Sequence, residues 1–402
     1  MFSTLSTLLL MPWCRIDKAY EVGCVNVLPF ERHKPIDGLD DAAQCRVNTI
    51  MATYKTIEGK PVDRAALVRY DGRSPIDDLN EAEVDTVYEL VALACFCGLA
   101  KREYFNPLGS YCNSDCFALY VQKFAKADFT TLTTRRREGQ TLSVWPIDHI
   151  AITIPTHCHP VETVGLGEAL LGAITAHRAR SKNDEWARWQ NSISCFNLAN
   201  TDGENVRYQV EWVLLCSAFE HLLGAKSEAK DVAGKFSEAM VPGESFLARN
   251  ANRRSDRWTD DGESLRYEWM REFYRIRGDF AHGKLDTEQP AVWNSREHLV
   301  LATIAFPLVV KCLLERACTY EPTDDDRAQI DSFEKFADIS GFLRPPSGQE
   351  NSLDSRWKRI CDDRKSKLAF DEAREECKAK GLIPQEGDDA ISTDGDSAGE
   401  DG

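Results

Sequence analysis

The chain changes style part-way along its length. Up to about residue 75 the apolar residues come in short, partly alternating runs: residues 20–30 (Y-E-V-G-C-V-N-V-L-P-F) and residues 47–57 around Met51 and Tyr54. Alternation of period two predicts half-buried strands. Breakers lie between the runs, at His33-Lys34-Pro35, Asp37-Gly38 and Asp71-Gly72. A helix is predicted from Asn80 or Glu81 to about Leu99, with Val84, Val87, Leu90, Val91 and Ala94 at helical spacing. Asn80 suits its cap, and Glu81 and Glu83 suit its N-terminus. Residues 117–124 fit helix or strand alike. Residues 144–154 read as a strand broken by Pro146 and closed by Pro155. A mixed α/β domain is therefore expected over residues 1–160.

From Pro160 onward the spacing becomes helical. Residues 164–178 carry Leu166, Leu170, Leu171 and Ile174, and residues 184–200 carry Trp186, Trp189, Ile193 and Phe196. Residues 205–224 form the most apolar stripe, through Tyr208, Trp212, Leu215, Phe219 and Leu222, with Gly224 as its stop. A shorter charged helix follows over 226–240, then a polar loop over 249–261. Residues 264–284 place Trp269, Met270, Phe273, Ile276 and Phe280 on one face. A long helix over 292–320 contains Pro307, which is expected to kink or divide it. Residues 326–339 are amphipathic, Pro345 and Pro346 mark a break, and residues 352–380 form a charged helix. The expected class is α+β: a mixed N-terminal α/β domain over 1–160, then an all-α bundle over 161–345. A helical extension over 346–383 and a disordered acidic tail over 384–402 complete the division.

Composition narrows the function classes. The formal net charge is −16, which excludes a general polyanion-coating protein and confines any nucleic-acid contact to a local basic groove. Much of the imbalance sits in the tail, with seven acidic and no basic residues over 385–402. No apolar run reaches the roughly 20 residues needed to span a bilayer, so no membrane partner is expected. The apolar start, M-F-S-T-L-S-T-L-L-L-M-P-W, lacks a positive n-region and is short, which argues against a signal peptide. The 14 cysteines are scattered, several inside helical stripes (Cys95, Cys216, Cys312), as expected of free buried thiols in a cytoplasmic protein.

Three groups of residues carry candidate chemistry. Cys112, Cys116, His157, Cys158 and His159 are zinc-ligand types, but adjacent ligands in H-C-H rarely share one metal. The spacing favours ordinary loop residues, and no cofactor is expected. Arg135-Arg136-Arg137 is the strongest basic run and reads as a solvated turn between two strands. The third group is the end of the 264–284 helix. Arg275, Arg277, Asp279 and His282 are followed by Gly283, a helix stop. Arg277 and His282 are five residues apart, about 140° around a helix. They border one groove only if the helix end faces another surface, such as a second copy of the chain.

Residues 274–283 (Y-R-I-R-G-D-F-A-H-G) resemble the Arg-x(4–6)-His signature of HEPN domains, close to the Apea-like branch, where an apolar-Tyr-x-x-Arg run leads into His-Gly. The spacing fits twice, from Arg277 with four intervening residues and from Arg275 with six. Residues 218–223 (A-F-E-H-L-L) resemble the first core helix of such domains, with Glu220 in the middle. The order of helices also resembles that bundle over roughly residues 161–320, and not before. The family has a polar residue directly after its Arg, where this chain has Gly278. A glycine inside a helix suggests a close contact or a local irregularity.

The resemblance implies a metal-independent endoribonuclease acting as a homodimer through its bundle. RNA supplies the 2′-OH nucleophile. His282 would be the general acid/base, Arg277 the phosphate stabiliser and Arg275 a second cation. Asp279 would orient His282, and Glu220 would orient Arg277 or His282. Arg253, Arg254 and Arg257, in the loop before the helix, would collect RNA phosphates or simply be solvated. The N-terminal domain would receive an unknown trigger, as in a prokaryotic anti-phage effector. A structural reading stands beside it. Arg275 and Asp279 are then an ordinary i,i+4 pair, Glu220 a surface residue beside its stripe, and His282-Gly283 an ordinary helix end. On that reading the bundle is a non-catalytic module for dimerisation or for binding RNA, nucleotide or a partner.

Overall fold

The computed structural model describes residues 5–102, 112–125, 131–136, 139–144, 147, 150–158, 163–243, 246–256, 258, 262–281, 291–343, 356–380 and 382. The N-terminal region is built on β1 (Leu5–Met11), which ends in the unbroken apolar run Leu8-Leu9-Leu10-Met11. All four of those side chains are buried, as an interior strand requires. On one edge β1 pairs antiparallel with β5 (Arg64–Tyr70) and β6 (Ile76–Asp77), and on the other with β7 (Tyr120–Ala125). The hairpin β2 (Tyr20–Val22) and β3 (Val25–Glu31) extends the sheet beyond β5, with Val27 opposite Val68. Its turn holds Gly23 at φ +61°, a left-handed conformation that glycine adopts without strain.

The expected strand over 47–57 is corrected. Residues Asp41–Met51 form α1, capped by the Asp40 side chain, which accepts from the Ala43 N–H at 2.7 Å. Val47, Ile50 and Met51 are its buried residues, at three- and four-residue spacing rather than alternation. Only Tyr54–Lys55 (β4) is extended, paired in parallel with β10 (Ile152–Thr153). The strand expected over 144–154 shrinks to β10, since Val144 ends an earlier strand, β9 (Gly139–Val144), paired with β8 (Thr131–Arg136). Arg135 and Arg136 close β8, and Arg137 lies outside the described residues.

The helix expected after Asn80 is α2 (Glu81–Ala100), with a full capping box between Asn80 and Glu83. It is followed by α3 (Glu168–Arg180), α4 (Asn183–Ala199), α5 (Tyr208–Leu223) and α6 (Ala229–Ala239). Then come α7 (Leu265–Ala281), α8 (Ser295–Arg316), α9 (Asp324–Ala337) and α10 (Arg356–Ala379). The chain is α+β, an antiparallel sheet region followed by a mostly helical part.

Pro307 does not divide α8. A proline inside a helix costs about 3 kcal/mol. Here Phe306, Val309, Val310 and Leu314 are fully buried around it, which offsets that cost. Among the described residues α8 is the one helix long and apolar enough to cross a membrane, and 89% of its apolar window is buried inside the fold.

The border expected near residue 160 is bridged by side chains. Phe96 of α2 meets Phe196 of α4 and Phe306 of α8 edge-on at 5.6 and 5.9 Å, and those two rings stack at 4.5 Å. Arg178 of α3 donates to Glu89 of α2 at 2.7 Å. At the far end Trp357 of α10 packs on Phe336 of α9 at 5.1 Å, and Arg364 pairs with Asp331 at 2.6 Å. Replacing Phe196 by Ala should lower stability by about 3–5 kcal/mol. In a denaturant titration the loss should shift one transition seen by both sheet and helix probes. Two transitions, only one of them shifted, would show that the two halves fold separately.

Candidate functional site

Packing of α5 against α7 sets the site. Trp212 stacks on Phe273 at 4.9 Å and donates its indole N–H to the Phe273 carbonyl at 2.9 Å. Phe280, near the end of α7, meets Trp212 edge-on at 5.3 Å and Tyr208 at 5.8 Å. This register puts Glu220 of α5 opposite Tyr274 and Arg277 of α7. The Tyr274 hydroxyl donates to Glu220 Oε2 at 2.5 Å, and Ser227 Oγ donates to Oε1 at 2.6 Å. Arg277 Nη2 lies 3.9 Å from Glu220 Oε2, and its Nη1 donates to the Tyr274 oxygen at 3.4 Å. The guanidinium sits 5.3 Å over the Tyr274 ring.

The electrostatics follow from that geometry. Burial works against charge on Glu220, but the Ser227 and Tyr274 hydroxyls and Arg277 outweigh it and hold the carboxyl below its usual range. Burial, and then the bond to Glu220, push the Tyr274 phenol up, so it keeps its proton at neutral pH. Among the described residues the buried Arg277 Nε has no hydrogen-bond partner. The Arg277 side chain as a whole remains 27% exposed. The cluster is thus a fixed carboxylate, a neutral phenol and a cation that reaches solvent.

The other predicted residues divide into three groups. Arg275 and Asp279 are half-buried on α7, and Arg254 is exposed in the loop before it. His282 and Arg257 lie outside the described residues, as does His159. Arg253 is corrected as a loop cation free for phosphate. Its guanidinium donates to Glu297 at 2.8 Å and to the carbonyls of Ile339 and Val292, and it stacks over Trp293 at 5.6 Å. A cation engaged this fully inside the fold is a structural tie. Of the close contact or local irregularity expected at Gly278, the close contact is not found among the described residues, where a Cβ built there meets nothing within 4 Å.

Tyr274 belongs to the Tyr-x-x-Arg run read in the sequence and shares a face with Arg277, but its bond to Glu220 was not legible there. Nor was a buried charged network behind α7. His298 is fully buried, with Nε2 3.0 Å from Glu272 Oε1. Glu272 also accepts the Val292 and Trp293 N–H groups, which anchor the start of α8 to α7. Rings of Trp212, Phe273 and Trp293 lie 5.0 to 5.8 Å from the imidazole. Burial holds the His298 pKa below the ordinary imidazole value, although the bond to Glu272 opposes it.

The thiols gather in the sheet region. Cys116 Sγ lies 3.8 Å from Cys158 Sγ, and the hydrogen bond with Cys116, then burial, push the thiols of Cys112 and Cys158 up. His157 turns to Asp115, with Nε2 3.5 Å from Oδ1. Among the described residues no group of three His, Cys, Asp or Glu side chains is arranged to hold a metal ion.

No family model, curated protein or solved structure matches the chain.

Two measurements test these assignments. Gly278→Ala should stabilise the protein by about 0.5–1 kcal/mol, read as a higher melting temperature, because it lowers unfolded-state entropy with no steric penalty. A fall in melting temperature would restore the expected close contact. His298, with its pKa depressed in the fold, contributes stability present above its unfolded value of about 6.5 and lost as pH falls towards its folded value. The acid-side loss should be shallower in His298→Asn, measured by denaturant titration at a series of pH values.

Proposed function

We propose that the chain is a metal-independent endoribonuclease of HEPN type, acting in the cytoplasm as a homodimer and triggered through its N-terminal region, as in an anti-phage defence effector. The observation that supports this most is the convergence of Glu220, Tyr274 and Arg277 beside the Arg-x4-His run. Arg277 carries a permanent charge with a fork that matches phosphate oxygens. Glu220 and Tyr274 hold that fork on one side and leave part of it to solvent. A phosphate arriving from solvent then finds a cation whose orientation is already set, which lowers the reorganisation needed as charge develops.

The reaction needs little more. The 2′-OH attacks the adjacent phosphorus, the 5′-oxygen leaves, and a cyclic phosphate forms. His282 takes or returns the proton near neutral pH. Arg277 stabilises the charge on the phosphorane oxygens, with Arg275 as a second cation. Asp279 orients His282. Glu220 acts through Arg277 and is a positioning residue. Arg254 and Arg257 extend the cationic path for RNA. The all-free cysteines accord with a reducing cytoplasm.

A second reading has its own observation. Arg277 is partly neutralised by Glu220 and stacked on Tyr274, which suits a structural tie in a non-catalytic module that dimerises or binds RNA or nucleotide. The test that separates them uses mixed RNA in EDTA with wild type, His282→Ala and Arg277→Ala. Cleavage leaving cyclic-phosphate ends, reduced about 100-fold or more in both variants, is expected. Cleavage unaffected by His282→Ala would overturn the site. A dimeric but inactive wild type, with inactivity persisting when cell extract from phage-infected cells is added, would favour the non-catalytic module.

A further inference from the structure

The sheet region contains a cavity of about 220 Å³ that the bundle chemistry does not use. Its lining comes from the segments after β1, β4 and β10 and from Arg64 at the start of β5. Trp13, Val62, Ile154 and Pro155 make an apolar wall, and Trp13 is only 2% exposed. Arg15 and Arg64 bring two cations to the same cavity. Arg64 donates to Thr163 at 3.4 Å. Arg15 is half-buried, and among the described residues its side chain has no ion pair or hydrogen bond. A partly desolvated cation without a partner is unfavourable, and an anion beside it relieves that cost. The acid on the lining, Glu58, is exposed and already accepts from Thr56 Oγ1 at 2.7 Å.

We propose that this cavity binds a small carboxylate bearing one apolar ring, with the carboxylate at Arg15 and the ring against Trp13. Size limits the ligand. A cavity of about 150 Å³ is enough for a benzene molecule, so the space here holds one ring and its carboxylate and excludes two fused rings with long substituents. The apolar wall selects the ring, and the two cations select the charge. The inference is independent of the nuclease reading.

Benzoate is the probe, with benzyl alcohol as its neutral counterpart, titrated into the full chain by calorimetry and ligand-observed NMR. Benzoate should bind with a dissociation constant of about 1 mM or tighter. Benzyl alcohol should bind at least about tenfold more weakly. Arg15→Gln should weaken benzoate by about tenfold and leave benzyl alcohol unchanged. Val62→Phe, which fills the cavity, should abolish binding of both in protein that remains folded by circular dichroism. The proposal is overturned if benzoate does not bind, if it binds no better than benzyl alcohol, or if Arg15→Gln binds it as wild type does. Undiminished binding to folded Val62→Phe would place the ligand elsewhere and overturn it equally.

Discussion

Phe196 and Phe306 stack at 4.5 Å, and Phe96 closes on both rings edge-on. Three helices far apart in sequence meet at that point, and the contacts run on from it. Phe219 of α5 meets Phe306 at 5.3 Å and Phe236 of α6 at 5.7 Å, and Trp269 of α7 meets Phe236 at 5.5 Å and Phe333 of α9 at 5.3 Å. Each ring buries a large apolar area in a preferred geometry, so the chain of rings is both a source of stability and a ruler for helix position. Any side chain that α5 or α7 presents is placed relative to this line.

The candidate site inherits its precision from that line. Trp212 locks α5 to α7 by stacking on Phe273 and by its hydrogen bond to the backbone there. Glu220 then meets Tyr274 and Arg277 without further adjustment. The back of α7 is held by Glu272, which ties His298 and the N–H groups of Val292 and Trp293. A carboxylate buried this way is stable because several donors satisfy it, and removing them would leave it exposed to the low dielectric alone. One side of α7 is thereby tied to the start of α8, and Tyr274 and Arg277 project from another side, towards Glu220.

The sheet region is organised differently. β1 is buried along its apolar run and paired on both edges, so it serves as the interior strand around which shorter strands add. Its successor residues turn out to line a cavity beside Arg15, a cation with no ion pair or hydrogen bond from its side chain among the described residues. Arg15 in the sheet region and Arg277 in the bundle are both partly desolvated arginines. Arg277 is held by an acid and an aromatic ring, whereas among the described residues Arg15 has no ion pair.

Helical spacing alone determined most of the C-terminal elements. The stripes through Trp212, Phe273 and Leu301 predict α5, α7 and α8, because a 3.6-residue period is written locally and each stripe must be buried. Asn80 and Glu83 likewise announce α2 through their capping box. The first 75 residues were less legible. The partial alternation over residues 47–57 suggests a strand where Val47, Ile50 and Met51 are the buried face of a helix, and β1 carries no alternation because both of its faces are covered. The run at 218–223 made Glu220 visible as a candidate and the run at 274–283 made Arg277 and Asp279 visible, since residue type and spacing are properties of the chain. Only the tertiary structure decided that Glu220 meets Arg277 through Tyr274, and that Arg253 is taken up by Glu297. It also decided that Gly278 has no close neighbour among the described residues and that Arg15 borders a cavity. Those outcomes depend on which helix faces cross and what each crossing desolvates, and no local pattern in the sequence encodes a crossing.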